Sequence, residues 1–290
     1  MNSLTLDNGR ILTYSEYGNK DGQPIFICHG LNSSRLEAKV FSTLISDENF
    51  RIIGIDRPGI GGSSFQKNRI ILDFTHDIVA VADKLAIKKF TIIGTSAGAA
   101  YALACAYKIP QRLDSCHIIS GLGLIEENFA SLSNETKSFI IMCIKFPWLI
   151  QPIFWMFMGR YSKNKDKSKK FLANIIQSLD DVDKAALNEP KIRTLFTEAF
   201  RESYSSGAKG VAYDAVLAYA KPWDFDLKDI RHNHIYLYNG AKDLSIPVEM
   251  GKHLHKLLKN SHSHLYKNDG HLSIIINQMA DIKENIQTIS

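Results

Sequence analysis

Residues 90–107 constrain this chain more than any other stretch. The apolar run at 90–93 leads into Gly94-Thr95-Ser96-Ala97-Gly98, and an Ala-rich helical pattern follows from Ala97 to Tyr107 until Pro110 stops it. A strand turning directly into a helix around a serine is the context that a G-x-S-x-G elbow demands. Gly94 and Gly98 lack a Cβ, so neighbouring backbone can pass close to the turn. Ser96 Oγ then projects above the sheet with the helix N-terminus beneath it, and the Ala97 N–H points where an oxyanion would form.

The same rhythm recurs along the chain. Short apolar runs at 25–28, 52–55, 116–119, 235–238 and, less clearly, 264–266 alternate with helical patterns, as in a parallel sheet covered on both faces. Ile71, Phe74, Ile78, Val81, Ala82 and Leu85 recur at spacings of three and four and form one apolar helical stripe. Leu4-Thr5-Leu6 and Ile11-Leu12-Thr13-Tyr14 flank Asn8-Gly9, which predicts an N-terminal antiparallel hairpin with a two-residue turn. The tail after His271 suits a closing helix.

The rhythm breaks between residues 122 and 210, which read as helical with no convincing strand. The expectation is therefore an α/β fold: a mostly parallel sheet of about eight strands with an N-terminal antiparallel hairpin, flanked by helices and carrying an inserted helical cap. Residues 1–121 and 211–290 form its core, and residues 122–210 the cap.

Composition narrows the class. Across 290 residues, 45% are hydrophobic and 22% charged, which excludes disorder, collagen-like repetition and a polytopic membrane protein. The formal charge of +5 is mild and implies no nucleic-acid partner. Met1 to Arg10 shows no basic and apolar leader pattern, and Cys28, Cys105, Cys116 and Cys143 sit in apolar surroundings without metal-like spacing. Buried free thiols and a cytoplasmic location are expected.

One segment resembles a membrane span by length. Residues 139–158 are rich in Ile, Phe, Trp and Met, but Lys145, Pro147, Gln151 and Pro152 interrupt them, which predicts two short apolar helices over a pocket. Arg160, Lys163, Lys165, Lys167, Lys169 and Lys170 follow, with Asp166 the one acid among them. The ordinary reading is a solvated, mobile loop. The sharper reading is a weak contact of residues 139–170 with an anionic membrane surface.

A serine hydroxyl needs a base. His271 stands in Asn268-Asp269-Gly270-His271, a turn after the last strand, on the same sheet edge as Ser96. His253, His255, His262 and His264 lack a carboxylate or cysteine at ligand spacing, so no metal is expected there. Asp243, just past the strand at 235–238, is placed to orient His271, whereas Asp224, Asp226 and Asp229 precede that strand. The order Ser96, Asp243, His271 is the one expected of this elbow. A second oxyanion donor is expected after the strand at 25–28, in His29-Gly30-Leu31: Gly30 lets the turn fold tightly, the Leu31 N–H donates, and His29 braces the loop.

Taken together, His29-Gly30, Asp56-Arg57-Pro58-Gly59-Ile60-Gly61, the elbow at 94–98, Asp243 and His271 resemble the α/β-hydrolase-fold superfamily over nearly the whole chain except the cap, and within it the small capped esterase- or lipase-like hydrolases. The resemblance implies a Ser–His–Asp triad, a backbone oxyanion hole, no cofactor and acyl transfer to water. Ser96 stands where the superfamily's dehalogenases and epoxide hydrolases carry aspartate. Asp56-Arg57 reads as a structural pair near the elbow, and Lys221-Pro222-Trp223 as a packed hinge.

The function expected is hydrolysis of a small-molecule carboxylic ester through an acyl-enzyme. Phe139, Phe146, Trp148, Phe154, Trp155 and Phe157 suggest an apolar acyl or alcohol group. Three alternatives stand beside it: a C–C bond hydrolase, an aminopeptidase using Glu126, Glu127 or Glu135 to hold an amine, and a non-catalytic ligand-binding protein on the same fold.

Overall fold

A computed structural model of the chain describes residues 1–177 and 179–288. Eight strands form one sheet: β1 (Asn2–Thr5), β2 (Ile11–Gly18), β3 (Gln23–Cys28), β4 (Phe50–Ile55), β5 (Phe90–Thr95), β6 (Leu113–Ile119), β7 (Ile235–Gly240) and β8 (Ser261–Tyr266). Their order is β1-β2-β4-β3-β5-β6-β7-β8. β1 and β2 pair antiparallel, as do β2 and β4, and every later pairing is parallel. β5 is buried along its whole length at the centre, as strands covered on both faces are.

The hairpin turn differs from the expected one. Thr5 pairs with Ile11, leaving five residues between the strands. Leu6 N–H donates to Arg10 O and Gly9 N–H to Leu6 O, both at 2.8 Å. Gly9 alone in that turn takes a positive φ, of 79°, so Asn8 is not part of a two-residue mirror-image turn.

Helices α1 (Glu37–Ile45), α2 (Phe74–Lys84) and α3 (Gly98–Lys108) connect the early strands. Phe26, Ile53, Ile92, Ile118 and Leu237 pack one sheet face against α2 and α3, while Ile25, Ile52, Ile93 and Tyr238 pack the other against α1 and the C-terminal helices.

Between β6 and β7 lies the helical cap: α4 (Ile125–Asn128), α5 (Asn134–Lys145), α6 (Pro147–Phe154), a π turn (Trp155–Gly159), α7 (Arg160–Ser162), α8 (Lys165–Gln177), α9 (Asp181–Ala186), α10 (Pro190–Ser203) and α11 (Lys209–Ala220). The boundary expected at 210/211 falls inside α11. The basic run is not a loop, because Lys165 to Lys170 form the start of α8. Asn164 Oδ1 accepts from the N–H groups of Asp166 and Lys167, both at 3.0 Å, and opens that helix.

After β7 come α12 (Val248–Leu257), α13 (Ser273–Asn277) and α14 (Met279–Gln287). The single closing helix expected is thus broken at Gln278. Asn277 and Gln278 donate side-chain hydrogen bonds to Asp269, at 2.8 and 2.7 Å, which tether the break to the turn that carries His271. All four cysteines are buried and free.

Candidate active site

Ser96 sits at the end of β5 with φ +51°, a left-handed backbone that costs a non-glycine residue of order 1–3 kcal/mol. Three hydrogen bonds hold it there. Its N–H donates to Ile119 O at 3.1 Å, and its carbonyl accepts from Ala99 N at 3.1 Å and Leu122 N at 2.9 Å. A Cβ on Gly98 would lie 2.0 Å from Cys28 O, so the helix can reach under the serine only through a glycine. One on Gly94 would meet Gly98 O at 2.8 Å.

His271 and Asp243 occupy the neighbouring strand ends. His271 Nδ1 lies 2.8 Å from Asp243 Oδ2. A carboxylate only accepts, so Nδ1 carries the proton and Nε2 is left to act as a base. Asp243 is itself fixed, its Oδ1 accepting from the N–H groups of Ser245 and Ile246, each at 2.8 Å. Burial pulls the His271 imidazolium down, but the Asp243 carboxylate, with a smaller push from Asp183 and Glu37, outweighs it and holds the pKa above its ordinary value.

Ser96 and His271 line one cavity without a direct hydrogen bond between them in this conformation. The phenol of Tyr219, on α11, interacts with the Ser96 side chain, and burial pushes that phenol up to about 12. Contacts of this kind in ligand-free sites often tighten only with substrate.

The Leu31 and Ala97 N–H groups face no acceptor among the described residues. Both belong to segments that touch the serine, since a Cβ on Gly30 would lie 3.5 Å from Ser96 Cβ. That distance is ordinary contact, and Gly30 is absent from the positive-φ positions, so the tight turn expected to require this glycine does not. The loop is braced from three sides. Arg57 donates to His29 O at 2.5 Å and Gly30 O at 3.2 Å, His29 Nδ1 lies 2.9 Å from Gly30 O, and Gly30 N–H donates to Glu37 Oε2 at 3.1 Å. Thr95 Oγ1 donates to the other Glu37 oxygen, so one buried carboxylate ties the loop to the elbow. Burial drives the His29 pKa well below its ordinary value and keeps the ring neutral.

Asp56 and Arg57 do not pair as expected. Asp56 binds Arg35 at 2.6 Å, and Arg57 binds Asp214 of the cap at 2.8 Å. Adjacent residues of an extended turn point apart, and each finds its counter-charge on a different element.

The cavity above Ser96 measures about 260 Å³ and its walls are mostly apolar. Leu172 and Ile176 of α8, Phe196 and Phe200 of α10, and Met158 supply them. The aromatic residues expected there lie elsewhere: Phe146, Trp148, Trp155 and Phe157 are exposed on the outer side of the cap, and Phe139 and Phe154 stack on each other in its core. Glu126 and Glu127 border a separate cleft with Trp223, Glu127 pairing with His253 at 2.7 Å, and Glu135 is exposed. Trp223 is packed on Phe225, as a hinge requires. His262 and His264 stack on Tyr236 and Tyr238 across the β7–β8 pair.

Three contributors escaped sequence reasoning. Glu37 carried a weak signal, an acid in the first turn of the helix after the loop that begins at His29. Asp183 and Tyr219 carried none, because each acts across the cap–core boundary. Asp183, on α9, accepts from the N–H groups of His271 at 3.0 Å, Leu272 at 3.0 Å and Ser273 at 2.7 Å.

The chain matches the model of the alpha/beta hydrolase fold over residues 23–278. It is 34% identical over 119 residues, 41% of its length, to the dihydrolipoyllysine-residue acetyltransferase component of the acetoin cleaving system of Pseudomonas putida, and the match spans 32% of that protein. Over 268 residues it is 22% identical to the uncharacterized hydrolase YugF of Bacillus subtilis (strain 168), covering 89% of this chain and 87% of that one. Among solved structures, a carboxylesterase of Nitrososphaera gargenis superposes with a TM-score of 0.70 at 17% identity, covering 99% of this chain and 98% of that one. The meta-cleavage product hydrolase of Pseudomonas fluorescens IP01 superposes with a TM-score of 0.64 at 17% identity, covering 100% and 98%. At such identities these two likenesses are of fold alone. The family match rests on sequence: it runs from β3, the first strand paired in parallel, through the elbow to the break after α13, and the chain belongs to the α/β-hydrolase fold family of enzymes.

Proposed function

We propose that this hydrolase cleaves small to medium carboxylic esters with an apolar acyl or alcohol group, through an acyl-enzyme on Ser96. Ser96 Oγ attacks the carbonyl carbon while His271 Nε2 takes its proton. The Leu31 and Ala97 N–H groups receive the developing oxyanion. His271 then protonates the departing alcohol, and water repeats the sequence to release the acid. Asp243 holds the imidazole tautomer and stabilises its cation throughout.

One observation carries the reading: a serine held at φ +51° opens into an apolar cavity shared with a histidine whose Nδ1 is committed to Asp243. The two unengaged N–H groups beside it supply what the transition state needs. Apolar walls separate chain lengths by only about 1–3 kcal/mol per methylene, so the specificity is broad.

The test is hydrolysis of p-nitrophenyl esters from acetate to palmitate by the wild type and Ser96→Ala. A loss of roughly a thousandfold or more in the variant is expected. Equal inactivity of two folded proteins would overturn the ester reading. C–C bond hydrolysis on the same triad is the second reading, supported by Arg193, a cation lining the cavity whose guanidinium donates to Leu187 O at 3.0 Å and Asn188 O at 3.3 Å and would have to exchange one of these bonds for an anionic substrate end.

A further inference from the structure

Eight of the fourteen exposed large hydrophobic side chains described lie between residues 141 and 157. They belong to α5, α6 and the π turn, with Phe146 between the two helices. Trp148 is 66% exposed, Ile144 57%, and Trp155 and Phe157 55% each. No single described helix is long and apolar enough to cross a membrane, and α5 meets the segment 147–162 at a bend of 120°. The exposed side chains of this bent pair form an outward apolar face.

Directly beside this face, Arg160, Lys167 and Lys170 border an open groove with Tyr161 and Phe171. Lys163, Lys165 and Lys169 are also exposed, Lys163 in a second groove with Glu198 and Glu202, and Asp166 is the one acid of the run at 160–170. Tryptophan and phenylalanine next to a cationic rim are what the headgroup boundary of an anionic bilayer accommodates. A second copy of the chain fits poorly, because a two-fold contact would set the same cations against each other.

We propose that this face of the cap docks on a bilayer containing anionic phospholipid, with Trp148, Trp155 and Phe157 in the interface and the Arg160–Lys167–Lys170 groove against lipid phosphates. Helix α8 presents Lys167 and Lys170 to that surface and its Leu172 and Ile176 to the Ser96 cavity, and Met158 of the π turn lines the same cavity. Docking therefore brings the cavity wall to the bilayer. That bilayer-held esters reach Ser96 rests on the proposed ester hydrolysis; docking itself does not.

Co-sedimentation of Ser96→Ala full-length protein with vesicles separates the two, because binding is then read without turnover. Vesicles of phosphatidylcholine are compared with vesicles holding about 30 mol% phosphatidylglycerol at low salt. Binding is expected on the anionic vesicles and is expected to weaken roughly tenfold or more in Lys167→Glu/Lys170→Glu, since each cation near the surface contributes about fivefold. Trp148→Ser/Phe157→Ser is expected to weaken it comparably. Both double variants, made in the active chain, are expected to keep wild-type circular dichroism and wild-type turnover of a water-soluble ester. Absence of binding to anionic vesicles, or binding that neither double variant weakens, overturns the proposal. So does a concentration-dependent dimer that Trp148→Ser/Phe157→Ser dissolves, which would make a second copy the occupant. Loss of ester turnover in the wild type with vesicle binding intact would overturn the function and leave the docking.

Discussion

The carboxylate of Asp183, on the cap, accepts the backbone N–H of His271, in the core, at 3.0 Å. Its other oxygen accepts from Leu272 and Ser273, so one buried side chain gathers three successive N–H groups of the turn that carries the proposed base. The cap is therefore part of the support of the site and not only a cover.

Asp183→Ala strands three backbone donors, each worth roughly 1–3 kcal/mol when left unpaired in the interior. The expected outcome is a stability loss of about 3 kcal/mol or more by urea denaturation, with kcat falling more than KM rises. Asp183→Asn retains an acceptor and is expected to recover most of the stability. It removes a negative charge that helps hold His271 protonated, so the acid limb of its pH–rate profile should move down. An unmoved limb would reduce Asp183 to a structural role.

The pH dependence of the wild type follows from the His271–Asp243 pair. His271 must be neutral to act as a base, and its pKa is held above the ordinary value. Activity is therefore expected to be full at alkaline pH and to fall on acidification with a midpoint above about 6.5, the unperturbed histidine value. Asp243→Asn should lower that midpoint and cut kcat by up to about ten-thousandfold, the order seen when a triad aspartate is amidated. A flat profile between pH 5 and 8 would remove His271 from the reaction.

The strand–elbow–helix unit was legible because local signals agree there: a β run, two glycines around a serine, and an alanine helix. The edge strand β8 was faint because one face meets solvent and its Ser-His-Ser-His pattern stacks on the tyrosines of β7. The cap was readable as helical but not in orientation. Phe146, Trp148, Trp155 and Phe157 look like pocket residues in sequence, and nothing local says that they turn outward while Leu172 and Phe196 turn in. Asp183, Tyr219 and the Arg57–Asp214 pair join residues far apart in sequence, and a charge carries no periodicity that names its partner.

Glu37 joins the two halves of the proposed oxyanion hole, accepting from Gly30 N–H on one side and Thr95 Oγ1 on the other. Burial raises its pKa, and hydrogen bonds from the surrounding loop and elbow oppose that rise. Glu37→Ala is expected to release the loop and lower kcat by roughly a hundredfold, the scale of losing one oxyanion donor, with KM little changed. Glu37→Gln preserves the shape and should restore much of kcat. Equal activity of all three proteins would show that the loop holds its position without this carboxylate.

Asp214 anchors the cap helix α11 to the core through a fully buried cluster. Its two oxygens take Arg57 and Arg69, each at 2.8 Å, and Tyr101 Oη donates at 2.5 Å. Burial alone would raise the Asp214 pKa, but the two guanidinium groups outweigh it and hold the carboxylate ionised well below its usual range. For an acid with a depressed folded pKa, the stabilisation is fully present above the unfolded value near 4 and is lost progressively as pH falls from there through the folded one. In the folded protein the Asp214 carboxylate should therefore stay ionised at a pH where exposed carboxylates are already protonated. Asp214→Asn leaves two buried arginines facing an amide, and a cost of about 3–5 kcal/mol is expected at neutral pH by denaturant titration. Because Arg57 also holds the His29 and Gly30 carbonyls, the variant should lose kcat in parallel, and its stability deficit relative to the wild type should shrink as pH drops toward the folded pKa of Asp214. A deficit that does not shrink as pH falls below the unfolded value near 4 would mean that the cluster's charge is not what holds the cap to the sheet.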